Sequence, residues 1–172
     1  DTGALAANLA RYQRHGIAGY LVLGSTGEAA LLDDDERLAL LRAARAAIPG
    51  DRAMIAGVGL ESTAATVRLA AAAAAAGADA LLVVTPSYFR AQMGEEALVR
   101  HYAAVADAAP RPILLYNVPQ FTGVVIPPAA VARLATHPNV AGLKDSSGDL
   151  AWLRATLALL PPGFTVLCGN AA

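Results

Sequence analysis

The chain carries one lysine against twelve arginines, one cysteine, one tryptophan, and only 16% charged residues in 172. Each scarcity excludes something. A net charge of -1 with no basic cluster argues against a nucleic-acid partner, which needs a basic face to meet phosphates. The lone Cys168 cannot support an internal disulfide framework and is compatible with a reducing cytoplasm, the expected location. It ends the apolar run from Phe164 and is expected to be an inert core thiol. The longest apolar stretch, Leu69 to Val84, is broken by Gly77 and Asp79, so no membrane span is expected. No signal or transit segment is recognised. His15, His101 and His137 lack ligand spacing to one another or to Cys168, so neither a metal nor a cofactor is expected.

What remains is an apolar, alanine-rich chain of a length that fits one domain or part of a larger one. Short apolar runs, Gly19 to Leu23, Ala53 to Val58, Ala80 to Val84, Pro112 to Tyr116, Asn139 to Leu143 and Phe164 to Cys168, read as strands buried on both faces. Between them lie helical patterns: Leu5 to His15, Asp34 to Ile48, a helix capped by Ser62 or Thr63 running to Gly77, Glu95 to Ala108, Pro127 to Thr136, and Asp149 to Leu160. The Ala70 to Ala76 run is bland helix surface. The β-then-α repeat leaves a doubly wound sheet or a (β/α)8 barrel, and in either the active site lies at the carboxyl ends of the strands. No nucleotide-phosphate motif follows any strand.

Arginine cannot act as a nucleophile, whereas a lysine amine that loses its proton can condense with a carbonyl. The single Lys144, at the end of the fifth apolar run, is therefore the candidate Schiff-base residue. Period-two alternation puts Val140, Gly142 and Lys144 on one face, with Gly142 leaving room beside the amine. Tyr116 ends the preceding run, and strands joined by a right-handed crossover are commonly adjacent, so its phenol is expected near Lys144 as a proton shuttle relayed through Ser25. The turn Gly24-Ser25-Thr26-Gly27-Glu28 offers hydroxyls and close backbone N–H groups suited to a carboxylate, with Glu28 supporting the loop.

Taken together, Gly24-Ser25-Thr26-Gly27-Glu28, Thr85-Pro86 with Tyr88, Tyr116-Asn117-Val118-Pro119 with Thr122-Gly123, and Gly142-Leu143-Lys144-Asp145 with Gly148-Asp149 resemble the dihydrodipicolinate synthase / N-acetylneuraminate lyase family. The resemblance implies a (β/α)8 barrel of pyruvate-dependent aldolases, usually oligomeric, in which Lys144 forms the Schiff base with pyruvate or another 2-oxo acid. It implies Tyr116 and Ser25 in proton transfer, Ser25 and Thr26 on the pyruvate carboxylate, Gly169 near the same pocket, and Tyr88 supplied across a subunit interface of a dimer or tetramer. Phe121 departs from the pattern: dihydrodipicolinate synthases place an arginine there for the second substrate's carboxylate. With Glu61-Ser62-Thr63, Tyr88-Phe89-Arg90 and Lys144-Asp145-Ser146, it makes the chain look more like 4-hydroxy-2-oxoglutarate aldolase members than lysine-biosynthesis synthases; a non-catalytic barrel remnant is the other alternative. Family barrels run to roughly 250 residues or more. Residues 1–172 are thus expected to form a single partial barrel of about six β/α units, lacking the first strand and the last unit, and to be aggregation-prone or inactive alone.

Overall fold

The computed structural model describes residues 1–170. Six strands form one sheet in sequential order, β1 (Gly19–Val22), β2 (Ala53–Gly57), β3 (Ala80–Val84), β4 (Ile113–Asn117), β5 (Val140–Asp145) and β6 (Thr165–Cys168), every pair parallel. Parallel neighbours need crossovers, and helices supply them: α1 (Thr2–Gln13) precedes β1, then come α2 (Asp34–Ala47), α3 (Thr63–Ala75), α4 (Glu95–Ala108), the single turn α5 (Pro119–Thr122), α6 (Pro128–Leu134) and α7 (Leu150–Leu157). The result is a partial (β/α)8 barrel: a curled sheet, a helical layer outside, a concave face inside. The short α5, which starts at the proline of the Tyr-Asn-Val-Pro motif, has no counterpart among the expected helices. Pro119 at its first position and Gly123 at φ 65° after it confine it to one turn.

Local chemistry sets the helix ends. Asp33 and Glu36 close a capping box on α2, Ser62 accepts from the Ala65 amide at the start of α3, and Asp149 accepts from the Ala151 and Trp152 amides at the start of α7. Alternation then divides the strands. Leu81, Val83, Ile113, Leu115, Val140 and Leu143 pack outward under the helices, whereas Leu82, Leu114, Tyr116 and Val118 form a separate inner cluster.

Two expectations need correction here. The register of β4 against β5 shifts between Ile113, which faces Val140, and Leu114, which faces Gly142, so exposed Ala141 is an extra residue in the ladder. Val140 consequently packs outward with Leu143 instead of sharing the face of Lys144. Cys168 is exposed rather than buried: it lies on β6, the last strand of the sheet, which among the described residues pairs with β5 alone. Its Sγ lies 3.0 Å from the Asn170 carbonyl.

A buried polar lock joins β4 to β5. Fully buried Asn117 donates Nδ2–H to Asp145 Oδ1 at 2.8 Å and accepts the Ile126 amide at 3.1 Å, while Asp145 also takes the Ser147 amide and hydroxyl. Asn117→Ala strips the Ile126 amide and the Asp145 carboxylate of buried partners, each of which costs about 1–3 kcal/mol when left unmade. Chemical denaturation of the full-length variant is expected to show a loss of about 2–4 kcal/mol; a change under 1 kcal/mol would mean water replaces the amide.

Candidate active site

Tyr116 and Lys144 are registered partners near the carboxyl ends of β4 and β5. The Lys144 Nζ sits over the Tyr116 ring, 3.8 Å from its centroid, and donates to Ser146 Oγ at 3.1 Å. On the other side the Tyr116 hydroxyl and Ser25 Oγ are 3.3 Å apart. An amine, a phenol and two hydroxyls thus form one continuous group at the end of the barrel where the strands finish. Burial pushes the Tyr116 phenol up, but the Lys144 amine and the hydroxyls of Ser25 and Ser146, together with the charge of Lys144, outweigh it and hold the phenol below its ordinary range. Lys144→Met removes the largest opposing group. The Tyr116 titration, followed by carbon NMR of tyrosine ring carbons, is expected to move to higher pH in that variant.

The glycine that makes room for the amine is not Gly142. A Cβ on Gly142 would meet the Thr165 carbonyl of β6 at 2.6 Å, so that glycine serves strand approach. A Cβ on Gly169 would fall 2.7 Å from Lys144 Nζ and against Ser146 Oγ, which puts Gly169 beside the amine. The Gly169 amide is anchored on the Asp145 carbonyl at 2.7 Å.

Ser25 and Thr26 lie in a 3-10 turn, Ser25–Gly27, whose closing bonds use the Gly27 and Glu28 amides. Thr26 is exposed, and its hydroxyl makes no hydrogen bond among the described residues. Glu28 takes the left-handed conformation, φ 53°, that links this turn to the next one and lines a cavity of about 770 Å³ with Ser25, Tyr116, Ser87, Thr85 and Phe121. Lys144 lies over the Tyr116 ring and does not itself line that wall. Tyr88 is 79% exposed, edge-on to Phe89 at 4.9 Å between ring centroids, and sits outside this cavity.

Two residues stand out that the candidate set omitted. Ser146 is buried and touches the amine; it follows Lys144 by two, the same face in an extended chain, so period-two counting carried one residue further finds it. Glu61 binds the loop after β3, and no short-range pattern announces a contact across 26 residues. Among the described residues no group of three or more His, Cys, Asp or Glu side chains could hold a metal ion, and no helix is long and apolar enough to cross a membrane.

A curled parallel sheet with a lysine, a tyrosine and serine hydroxyls gathered where its strands end defines a β/α-barrel of the type that carries its chemistry on that rim. The sequence model of the dihydrodipicolinate synthetase family matches residues 2–172, and the chain belongs to that family. It is 47% identical over 155 residues to a 4-hydroxy-tetrahydrodipicolinate synthase of Stenotrophomonas maltophilia, covering 90% of this chain and 52% of the relative. It is 40% identical over 167 residues to an enzyme of the same name from an Exiguobacterium species, covering 97% and 56%. The chain therefore spans about half the length of the curated relatives it matches.

Solved structures agree on the fold. A chloride-inhibited dihydrodipicolinate synthase from Acinetobacter baumannii, complexed with pyruvate, superposes with a TM-score of 0.93 at 34% identity, over 98% of this chain and 57% of that one. A prophage protein of the dihydrodipicolinic acid synthase family from E. coli K12, also in complex with pyruvate, gives 0.92 at 35% identity, over 98% and 57%. The relatives named here do not support the expectation of a 4-hydroxy-2-oxoglutarate aldolase; the synthase alternative fits them better.

Proposed function

We propose that the protein is a Schiff-base lyase or synthase that activates pyruvate and joins it to an aldehyde, of the 4-hydroxy-tetrahydrodipicolinate synthase kind that its relatives carry. The observation that carries this is the Lys144 amine held between the Tyr116 ring and Ser146 Oγ. In this reading the neutral amine adds to the ketone carbon of pyruvate, the carbinolamine loses water, and the imine gives up a methyl proton to become an enamine. The enamine carbon attacks the aldehyde, and water then releases the product and the free amine. Each step moves a proton, and the hydroxyl pair Tyr116 and Ser25 is in reach to carry it.

Ser25 and Thr26, on one turn, are the proposed holders of the pyruvate carboxylate, with Gly169 keeping the approach to the amine clear. Tyr88 is proposed to work from one copy of the chain into a neighbour, supported by its outward exposure beside Phe89, and hence in a homo-oligomer of the cytoplasm. No cofactor is invoked.

Borohydride reduction of the full-length protein with pyruvate, followed by peptide mass spectrometry, tests the reading. A reduced pyruvyl adduct on Lys144 is expected, and unmodified Lys144 in folded protein rejects it. Phe121 bears on which aldehyde is taken: it is 72% exposed on the cavity wall, at the position where the family resemblance implies an arginine for the second substrate's carboxylate. Parallel assays with aspartate semialdehyde and 4-hydroxy-2-oxoglutarate separate the two, since a site selects the substrate whose polar groups it satisfies.

A further inference from the structure

We propose that Glu61 is a positioning residue whose carboxylate sets the Ser87–Tyr88 segment and so the direction in which the Tyr88 phenol is offered. The proposal rests on the reading of Tyr88 given above and deepens it. After β2 the chain is fixed on both sides of Glu61: the Leu60 amide donates to buried Thr66 Oγ1 at 3.0 Å and the Leu60 carbonyl accepts from it, while Ser62 caps α3. From that anchored point the carboxylate reaches across to the loop after β3. Its Oε2 accepts the Ser87 amide and the Tyr88 amide, each at 2.9 Å; its Oε1 accepts the Ser87 hydroxyl at 2.9 Å and a longer bond from the Ser87 amide at 3.1 Å.

Nothing else on that loop does this work among the described residues. Pro86 has no N–H to give, and the next backbone bonds, Gln92 to Phe89 and Met93 to Arg90, belong to the turn beyond. Glu61 also stands on a boundary. With Ser87 it lines the cavity of about 770 Å³ that holds Ser25 and Tyr116, and with Tyr88 and Phe89 it lines a second hollow of about 260 Å³. The carboxylate is thus the pin of the wall between them, and the amides it holds decide that Ser87 faces one side and Tyr88 the other.

A carboxylate is required because each oxygen must accept. Glutamine keeps the size but turns one acceptor into an NH2 group that opposes the loop donors. In full-length Glu61→Gln, kcat is expected to fall about 10- to 100-fold, as misplacement of a working group by an ångström does. The KM for pyruvate stays within about twofold, since Lys144, Ser25 and Thr26 are untouched. Tyr88→Phe in the same background adds little, because the phenol is already misplaced. Amide hydrogen exchange at Ser87 and Tyr88 accelerates about fivefold or more from the lost bonds, with the strands unchanged.

Faster exchange with a non-additive double variant supports the assignment; unchanged exchange, or losses that multiply, overturns it. Should Glu61→Gln fail to fold, Ser87→Ala removes one of the four bonds and is expected to show a smaller version of both effects, with neither appearing if the proposal is wrong. If wild-type protein gives no borohydride adduct, the catalytic reading fails on its own, and the exchange measurement still decides whether Glu61 sets the loop.

Discussion

Lys144→Arg is expected to leave the fold and the local positive charge in place while abolishing the reduced pyruvate adduct and lowering turnover on the order of 10⁴-fold or more. The guanidinium stays protonated at any working pH and has no lone pair to add to a ketone. The two roles a lysine could have here, fixed cation or nucleophile, are separated by this one substitution. A cation over the Tyr116 ring and beside Ser146 could be supplied by arginine, and a variant with most of its activity would show that only the charge was needed. Loss of the adduct with retained pyruvate binding, read by calorimetry, isolates the covalent step.

Tyr116→Phe is the second large effect. The ring is nearly buried in the inner cluster with Leu82, Leu114 and Val118, so phenylalanine fills the same space and the barrel is expected to keep its melting temperature within a few degrees. What disappears is the hydroxyl that meets Ser25 Oγ and that Lys144, Ser25 and Ser146 together hold below its ordinary range despite burial. Removing the proposed proton carrier is expected to lower turnover by about 10²- to 10⁴-fold. The adduct should still form, slowly, because the amine remains. Trapping kinetics that match wild type would show that water or Ser25 alone carries the proton.

Much of this arrangement was legible in the chain. All six strands fall where near-continuous apolar runs place them, since a parallel sheet covered on both faces needs such runs, and the adjacency of Tyr116 and Lys144 follows from the crossover rule. Other features depend on distant partners. The exposure of Cys168 depends on what packs around β6, a matter its own composition does not encode. Gly142 and Gly169 are alike in sequence, and only the backbone that each one meets, Thr165 for the first and the amine with Ser146 for the second, tells their purposes apart. Glu61 reads as an ordinary turn carboxylate until the loop after β3 is folded against it.

Ala141 gives the fifth strand an unusual tolerance. Deleting a residue from an extended segment ordinarily rotates everything beyond it by half a turn, and here that would send the chain's single lysine into the helical shell. Because Ala141 is supernumerary in the ladder, its loss would simply let Val140 and Gly142 become successive rungs, outward then inward, as they already are. Lys144 would keep its aim. The orientation of the side chain on which the proposed chemistry depends is therefore insulated from the loss of this one residue, though not from a deletion between Gly142 and itself.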